Sequence, residues 1–159
     1  MFVTTQFSVF MVNKPGILAH ILAEFARAKI NINAMTVMDS VEHGVLRAVL
    51  DNPEMGEKIL TAANLPFNKT EVLCVNLDNR SGALAGVAEK LAASHINISY
   101  AYCTTGAKGG RTTGILKVAD VKKAMKILAE RGGFEPPRVV TPYTISSRAV
   151  STAHAPLQP

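Results

Sequence analysis

A short segment that leads from a strand-like run into a helical run occurs twice in the chain. The first copy reads Asn13-Lys14-Pro15-Gly16-Ile17-Leu18 and the second reads Asn79-Arg80-Ser81-Gly82-Ala83-Leu84. Gly82 follows Gly16 by 66 residues, and the same offset carries Ile30-Asn31-Ile32-Asn33 onto Ile96-Asn97-Ile98-Ser99. A constant offset over two separated motifs indicates an internal duplication, which constrains the fold more than any single motif does. We therefore expect two small units that are built alike and packed together.

Each copy of the segment lies in the same succession of elements. The alternating residues Phe7–Met11 predict a strand, the apolar residues after Gly16 recur at helical spacing, and two strands and a second helix follow. Asn52-Pro53 predicts the start of that second helix, and Asp120 predicts the start of the last one. The pattern predicts an α+β fold of two ferredoxin-like βαββαβ repeats, with antiparallel sheets side by side and helices on one face.

The repeat also predicts the domain boundaries. We expect repeat 1 over residues 1–68, repeat 2 over residues 69–145 and a disordered C-terminal tail over residues 146–159. The extended run Phe67–Leu77 must finish the first unit and begin the second, either as one long strand or as two strands joined by a kink near Asn68. Residues 138–145 are expected to close the second sheet as an edge strand, where prolines are tolerated.

Composition narrows the class of protein. Of the 159 residues, 48% are hydrophobic and 18% are charged, so the chain can bury a core. The net charge of +5 comes from Lys and Arg residues that form no stripe, so we expect no nucleic-acid partner. No basic leader and no long apolar run is present, which predicts a cytoplasmic protein without a membrane segment. Cys74 and Cys103 are expected to be free thiols.

Several functions of ferredoxin-like folds are disfavoured by the residues. The predicted third strands, residues 45–50 and 113–118, contain no aromatic residue on which an RNA base could stack. No paired cysteines follow a first strand, and the four histidines share no metal-ligand spacing. Arg80 lies in the second turn but Lys14 lies in the first, and no carboxylate pair or activated nucleophile is evident. We therefore expect no enzyme, no metal and no cofactor.

The duplicated turn itself suits a small zwitterion. Free N–H groups at a helix start attract a carboxylate, and glycine leaves room for a ligand to approach the backbone. The asparagine side chain offers both a donor and an acceptor to the ligand. The alternative is that the segment is turn chemistry only, and that Asn31 and Asn97 satisfy backbone groups between helix and strand. Tyr100 and Tyr102 share a strand face and could line a pocket or pack in a core.

The pattern Asn-x-Pro-Gly-x-Leu entering a helix, followed by Ile-Asn-Ile at the next strand, resembles the ACT domain. The tandem arrangement resembles stand-alone proteins of two ACT repeats with no attached enzyme, and the resemblance covers about residues 5–132. It implies that an amino acid binds between two units, at the first turn of one and the start of the second strand of the other. The implied sites, which assume that the repeats meet by their second strands, are Asn13, Gly16, Ile17 and Leu18 with Asn97 and Ser99, and Asn79, Gly82, Ala83 and Leu84 with Asn31 and Asn33.

The two implied sites are not equivalent. Asp78 precedes the second motif and can meet the ligand's ammonium group, whereas the first copy has Val12 at that position. Ser81 and Ala83 also replace the proline and isoleucine of the first copy. We expect the sites to differ in affinity.

The sequence thus predicts a non-catalytic amino-acid sensor that regulates another protein, a metabolic enzyme or a transcription factor, in trans. The main alternative is an interaction or scaffold module without a small ligand, and a weaker one is a small enzyme acting near the Arg80 turn. Apolar residues predicted to lie opposite the helices indicate a homodimer with sheets or edges in contact. These residues are Phe10, Val12, Met35 and Val37.

Overall fold

The computed structural model describes residues 1–39, 43–105 and 111–130, and it contains two successions of strand, helix, strand, strand and helix. In chain order the elements are β1 (Phe2–Val12), α1 (Ile17–Arg27), β2 (Ile32–Asp39), β3 (His43–Leu50), α2 (Pro53–Ala62), β4 (Phe67–Asp78), α3 (Ala83–Ala93), β5 (Ile98–Thr105), β6 (Arg111–Val118) and α4 (Val121–Ala129). The duplication expected from the offset of the two motifs is confirmed, and β4 is one continuous strand.

The six strands form one antiparallel sheet in the order β2-β3-β1-β4-β6-β5. The two repeats therefore pair through β1 and β4 at the centre of the sheet, whereas the second strands, which were expected to join the repeats, approach each other across the curl without pairing. The second strands β2 and β5 are the outer strands. The sheet curls, so that Arg47 of β3 lies 3.9 Å from the ring centre of Tyr100 on β5.

The central pair shares residues between the two repeats. Residues 6–12 of β1 pair with β3, whereas residues 2–5 pair only with β4, at residues 71–74. Residues 2–5 therefore fill the position of a fourth strand in the second repeat. The strand predicted for that role, residues 138–145, lies outside the described residues.

Two apolar clusters lie between the sheet and its helices. Phe7 and Val9 of β1 pack with Ile21 and Phe25 of α1, and the corresponding strand β4 packs with Val87 and Leu91 of α3. These side chains are almost fully buried, and each stabilises the fold by about 1.5–3 kcal/mol relative to exposure. The helical periodicity in the sequence predicts this inward face because residues three and four apart share one side of a helix.

The starts of α2 and α4 follow the expected capping chemistry. The side chain of Asn52 accepts a hydrogen bond from the Met55 amide at 3.1 Å, and Pro53 occupies the first turn of α2. The carboxylate of Asp120 accepts one from the Lys123 amide at 2.8 Å. Both caps are confirmed.

The face of the sheet without helices has a core of its own at the middle of the curl. A small apolar cluster joins Ala34, Val49, Val72, Cys74 and Ile115. Beside it the fully buried amide of Gln6 donates to the Tyr100 hydroxyl at 2.8 Å and accepts from the Tyr102 hydroxyl at 3.0 Å. The two tyrosines therefore fasten β5 to β1 across the curl.

The exposed apolar surface differs in part from the expected one. Phe10 and Val12 are 41% and 46% exposed, as a patch opposite the helices requires. Met35, however, pairs with Ala48 and packs against the helix-side cluster, and Val37 points to that same side. Met38, 48% exposed, is the large apolar β2 residue exposed on the side of Phe10, so the expectation for Met35 and Val37 is wrong.

Candidate functional site

The two duplicated turns have the same backbone geometry. Gly16 has φ +89° and Gly82 has φ +83°, a left-handed conformation that side chains disfavour. Before each glycine, a backbone amide in the turn donates to the carbonyl of the last strand residue. The Lys14 amide donates to Val12 at 2.9 Å, and the Arg80 amide donates to Asp78 at 2.8 Å. The glycines are therefore needed for the reversal from strand into helix, whether or not a ligand approaches them.

The helices that follow these turns begin without a side-chain cap. In the described part of the chain, no side chain accepts a hydrogen bond from the first amides of α1 or α3, in contrast with α2 and α4. The first amides of a helix have no partner inside the helix, and the helix dipole makes this end positive. A β-carbon added at Gly16 would meet nothing within 4 Å, so the space over that turn is open. The first amides already have backbone partners, since Ile17 donates to the Lys14 carbonyl at 3.4 Å and Ala83 to the Arg80 carbonyl at 3.3 Å. Among the described residues, the next amides, of Leu18 and Leu84, have no such partner, and they are the donors suited to an anion.

A cavity opens beside the second turn, at the start of α3. Its volume is about 170 Å³, and its wall is formed by Leu77, Asp78, Asn79, Arg80, Ala83, Leu84, Cys103 and Thr112. A smaller cavity of about 120 Å³ adjoins the same turn and is lined in part by Asn76 and Asp78. The cavity is lined by residues at the start of α3, by the acidic residue Asp78 and by apolar residues, a combination that suits a zwitterion.

The polar side chains of this cavity differ in burial. The Asp78 side chain is 80% exposed, and its Oδ2 lies 3.7 Å from Nε of Arg80. Thr112 of β6 is only 8% exposed, and its Oγ1 has no hydrogen-bond partner among the described residues. Cys103 of β5 is exposed and not in a disulfide. Thr112 and Cys103 were not evident as site residues from the sequence, because only the registers of β6 against β4 and of β5 against β6 bring them to the turn.

The remaining predicted site residues lie at the starts of β2 and β5. Asn31 and Asn33 share the end of the sheet with the second turn, and Asn97 and Ser99 share the end with the first turn, because β2 and β5 run parallel to β1 and β4. Two strands separate each pair of site halves, or about 14 Å along the sheet. The two halves of each implied site therefore lie at the same end of the sheet, but they do not lie on neighbouring strands.

The asparagine at the start of β2 has partners within its own repeat. The Asn31 amide donates to the Asp51 side chain at 3.0 Å, and its side chain donates to Asn33 at 3.5 Å. The pairing register shifts at Asn33 in β2 and at Ser99 in β5. Such bulges redirect side chains at the edge of a sheet. Neither of these hydrogen bonds joins the Asn31 side chain to a backbone group, so the alternative that this side chain only satisfies the backbone stays a prediction.

Other kinds of site are not indicated by the described residues. In the ranges 1–39, 43–105 and 111–130, no group of three His, Cys, Asp or Glu side chains is placed to hold a metal ion. Among these same residues, no helix has the length and apolar character needed to cross a membrane.

The chain contains two ferredoxin-like repeats joined in one sheet, and each repeat has a glycine turn that leads into an uncapped helix. These features define a class of tandem α+β proteins. Comparison with protein families makes the class specific, because the model of the ACT domain pair matches residues 1–132. The chain belongs to this family. Comparison with curated proteins gives no match.

Solved structures show the same arrangement. Protein BT0572 from Bacteroides thetaiotaomicron is 27% identical with a TM-score of 0.75, over 80% of this chain and 88% of that one. The regulatory subunit of aspartate kinase from Thermus thermophilus, in a ligand-free form, is 14% identical with a TM-score of 0.59, over 82% and 97%. The corresponding subunit from Thermus flavus is 13% identical with a TM-score of 0.52, over 82% and 96%. The chain is thus similar in fold to regulatory subunits.

Proposed function

We propose that this chain is a non-catalytic, cytoplasmic regulatory protein that binds a free amino acid at its glycine turns. The observation that carries the proposal is the start of α3, where the first residues of an uncapped helix and the acidic residue Asp78 line one cavity. The Ala83 amide donates to the Arg80 carbonyl, so the ligand's carboxylate would accept from the next amide, that of Leu84, and the helix dipole adds to the attraction.

The ammonium group of the ligand is expected to bind Asp78. The present partner of Asp78 is Arg80, at 3.7 Å, and an exposed ion pair of this length contributes little stability. An ammonium group can therefore take the place of Arg80 without a large cost. Leu77, Ala83 and Leu84 supply an apolar wall for the ligand's aliphatic atoms.

Regulation would act on another protein. The family is a pair of ACT domains, and the proposed partner is a metabolic enzyme or a transcription factor in trans. The fold of this chain also occurs in proteins described as regulatory subunits of aspartate kinase, which supports a regulatory role for such a pair.

A thermal-shift panel of the twenty amino acids tests the proposal. A ligand at one hundred times its Kd adds about 2.7 kcal/mol to the free energy of unfolding. At about 2–4 °C per kcal/mol, this raises the Tm by about 5–11 °C. A panel in which no amino acid raises the Tm at millimolar concentration contradicts the proposal.

Asp78→Asn is the matched variant for the panel, since it removes the charge and keeps the shape. We expect it to weaken binding about tenfold, or about 1.4 kcal/mol, because a charged acceptor is lost from an exposed site. Substitution of Gly16 or Gly82 is a poorer test, because any side chain strains the left-handed backbone. Unchanged affinity in Asp78→Asn would remove Asp78 from the site.

A second candidate is an interaction module that binds no small ligand. The exposed side chains of Phe10, Val12 and Met38 on the helix-free side of the sheet favour it, because monomers seldom expose adjoining apolar residues. We propose that a second copy of the chain covers them in a homodimer. Light scattering that detects only a 17.0 kDa species at micromolar concentration contradicts the dimer.

A further inference from the structure

The two glycine turns differ at one buried position on the strand next to them. Met11 of β1 pairs with Gly44, and Leu77 of β4, the residue 66 positions later, pairs with Thr112. Gly44 and Thr112 are therefore equivalent positions beside the first and the second turn. One repeat has no side chain there, and the other has a hydroxyl group.

At the first turn, methionine fills the space that the glycine leaves. A β-carbon on Gly44 would lie 3.2 Å from Cε of Met11, so the end of the Met11 side chain lies over the glycine. Met11 is itself only 8% exposed. Val12, the counterpart of Asp78, offers no charge to an ammonium group. The first turn thus has a free amide at Leu18, after the Ile17 amide that donates to Lys14, but it lacks the polar wall.

At the second turn, the space holds an unsatisfied polar group. Thr112 is more than nine-tenths buried, its Oγ1 has no partner among the described residues, and it lines the cavity of about 170 Å³ at the start of α3. A buried hydroxyl without a partner is unfavourable, and a ligand that hydrogen-bonds to it recovers that loss. The volume of about 170 Å³ is below the roughly 300–1,000 Å³ of pockets for drug-sized ligands, which points to a small ligand.

We infer that the second turn is the amino-acid site of this chain, and that Thr112 selects a small amino acid whose side chain carries a hydroxyl or a carboxamide. The inference rests on the proposed function and adds to it which turn binds and what the ligand's side chain must offer. The α-carboxylate meets the amides of α3, the ammonium group meets Asp78, and the polar side chain meets Oγ1 of Thr112. A site built around a hydroxyl rejects the analogue that cannot bond to it, because the hydroxyl is then left unpaired.

Isothermal titration calorimetry with near-isosteric pairs tests the selection. The probes are asparagine against leucine and serine against 2-aminobutyrate, on the wild-type chain. We expect one site per chain and at least tenfold tighter binding of the polar member in one of the pairs. Thr112→Val keeps the shape and should bring the two affinities to within about twofold, whereas Thr112→Ser, which keeps the hydroxyl, should retain the preference.

Met11→Leu is the control at the first turn, because this substitution preserves the packed volume and should leave the affinity unchanged. Two binding sites per chain, or a polar preference that survives in Thr112→Val, overturns the inference while the proposed function stands. Preferential binding of an apolar or charged amino acid in the twenty-member panel does the same. No binding by any amino acid overturns the proposed function, and the inference falls with it.

Discussion

The hydrogen bonds that Gln6 makes across the curled sheet allow a sharp test of what holds the outer strand β5 in place. Gln6 is 0% exposed, and its amide bonds the hydroxyls of Tyr100 and Tyr102 as well as Oγ of Ser8, at 2.8, 3.0 and 3.2 Å. Gln6→Leu preserves the volume approximately but leaves both tyrosine hydroxyls without this partner. Among the described residues, only the side-chain amide of Gln6 forms hydrogen bonds with both tyrosine hydroxyls.

The expected cost follows from the burial of the groups left unpaired. A buried polar group without a partner costs about 1–3 kcal/mol, and both tyrosines are only partly buried, so we take about 1–2 kcal/mol for each hydroxyl. The added apolar surface of leucine offsets part of this, which gives a net loss of about 2 kcal/mol for Gln6→Leu. The double change of Tyr100 and Tyr102 to phenylalanine leaves the buried amide unpaired and should cost about as much.

The triple variant separates a network from a sum of contacts. When all three polar partners are apolar, no group is left unsatisfied, and the stability should return to within about 1 kcal/mol of wild type. The phenylalanine ring at position 100 still offers its face to Arg47. Urea unfolding at pH 7 measures the free energy of unfolding of each variant, and an unchanged m-value shows that the variants can be compared. If the losses of the Gln6 and tyrosine variants simply add, to about 4 kcal/mol, the network interpretation is refuted.

Three further predictions concern thiols, helix ends and the first strand. Burial raises the pKa of Cys74 to about 11, so a thiol reagent should label Cys103 in the folded protein and Cys74 only after unfolding. The free energy of unfolding should fall between about pH 9 and 11, because the Cys74 thiol ionises first in the unfolded chain, and Cys74→Ala should lose this pH dependence. Lys29 and His95 have φ +56° at helix ends, a conformation that glycine adopts more easily than other residues. Lys29→Gly and His95→Gly should therefore each raise the free energy of unfolding by about 0.5–1 kcal/mol, and a lower free energy of unfolding in both variants would contradict backbone strain at these positions. Deletion of residues 2–5 should lower the free energy of unfolding by about 3 kcal/mol and promote aggregation, because four residues of β4 lose their partners. An unchanged urea midpoint would show that this pairing is dispensable.

The sequence predicts those parts of the fold that depend on neighbours along the chain. The alternation of β1, the helical face of α1 and the capping residues Asn52 and Asp120 are local signals, and the structure agrees with each. The constant offset between the motifs predicts the tandem arrangement. These features could be predicted because propensity, spacing and capping act within a few residues.

Features that depend on register could not be predicted in this way. The alternation of β2 does not tell which of its faces meets the helices, so Met35 was placed on the wrong side; its pairing with Ala48 decides the matter. The contacts of Gln6 join residues 94 and 96 positions apart. Thr112 reaches the second turn only because β6 pairs with β4. In the candidate site, the turn was evident from the sequence, and the wall of its cavity was not.

The residues shared by β1 and β4 bear on how such a chain could arise by duplication. A single repeat of this design, standing alone, would expose the strand edge that residues 2–5 cover here, and a second molecule would be needed to cover it. Fusion of two copies turns an encounter between molecules into a folding step within one chain, at a high effective concentration. The pairing of these two strands therefore does not weaken on dilution, even where the protein is scarce in the cell.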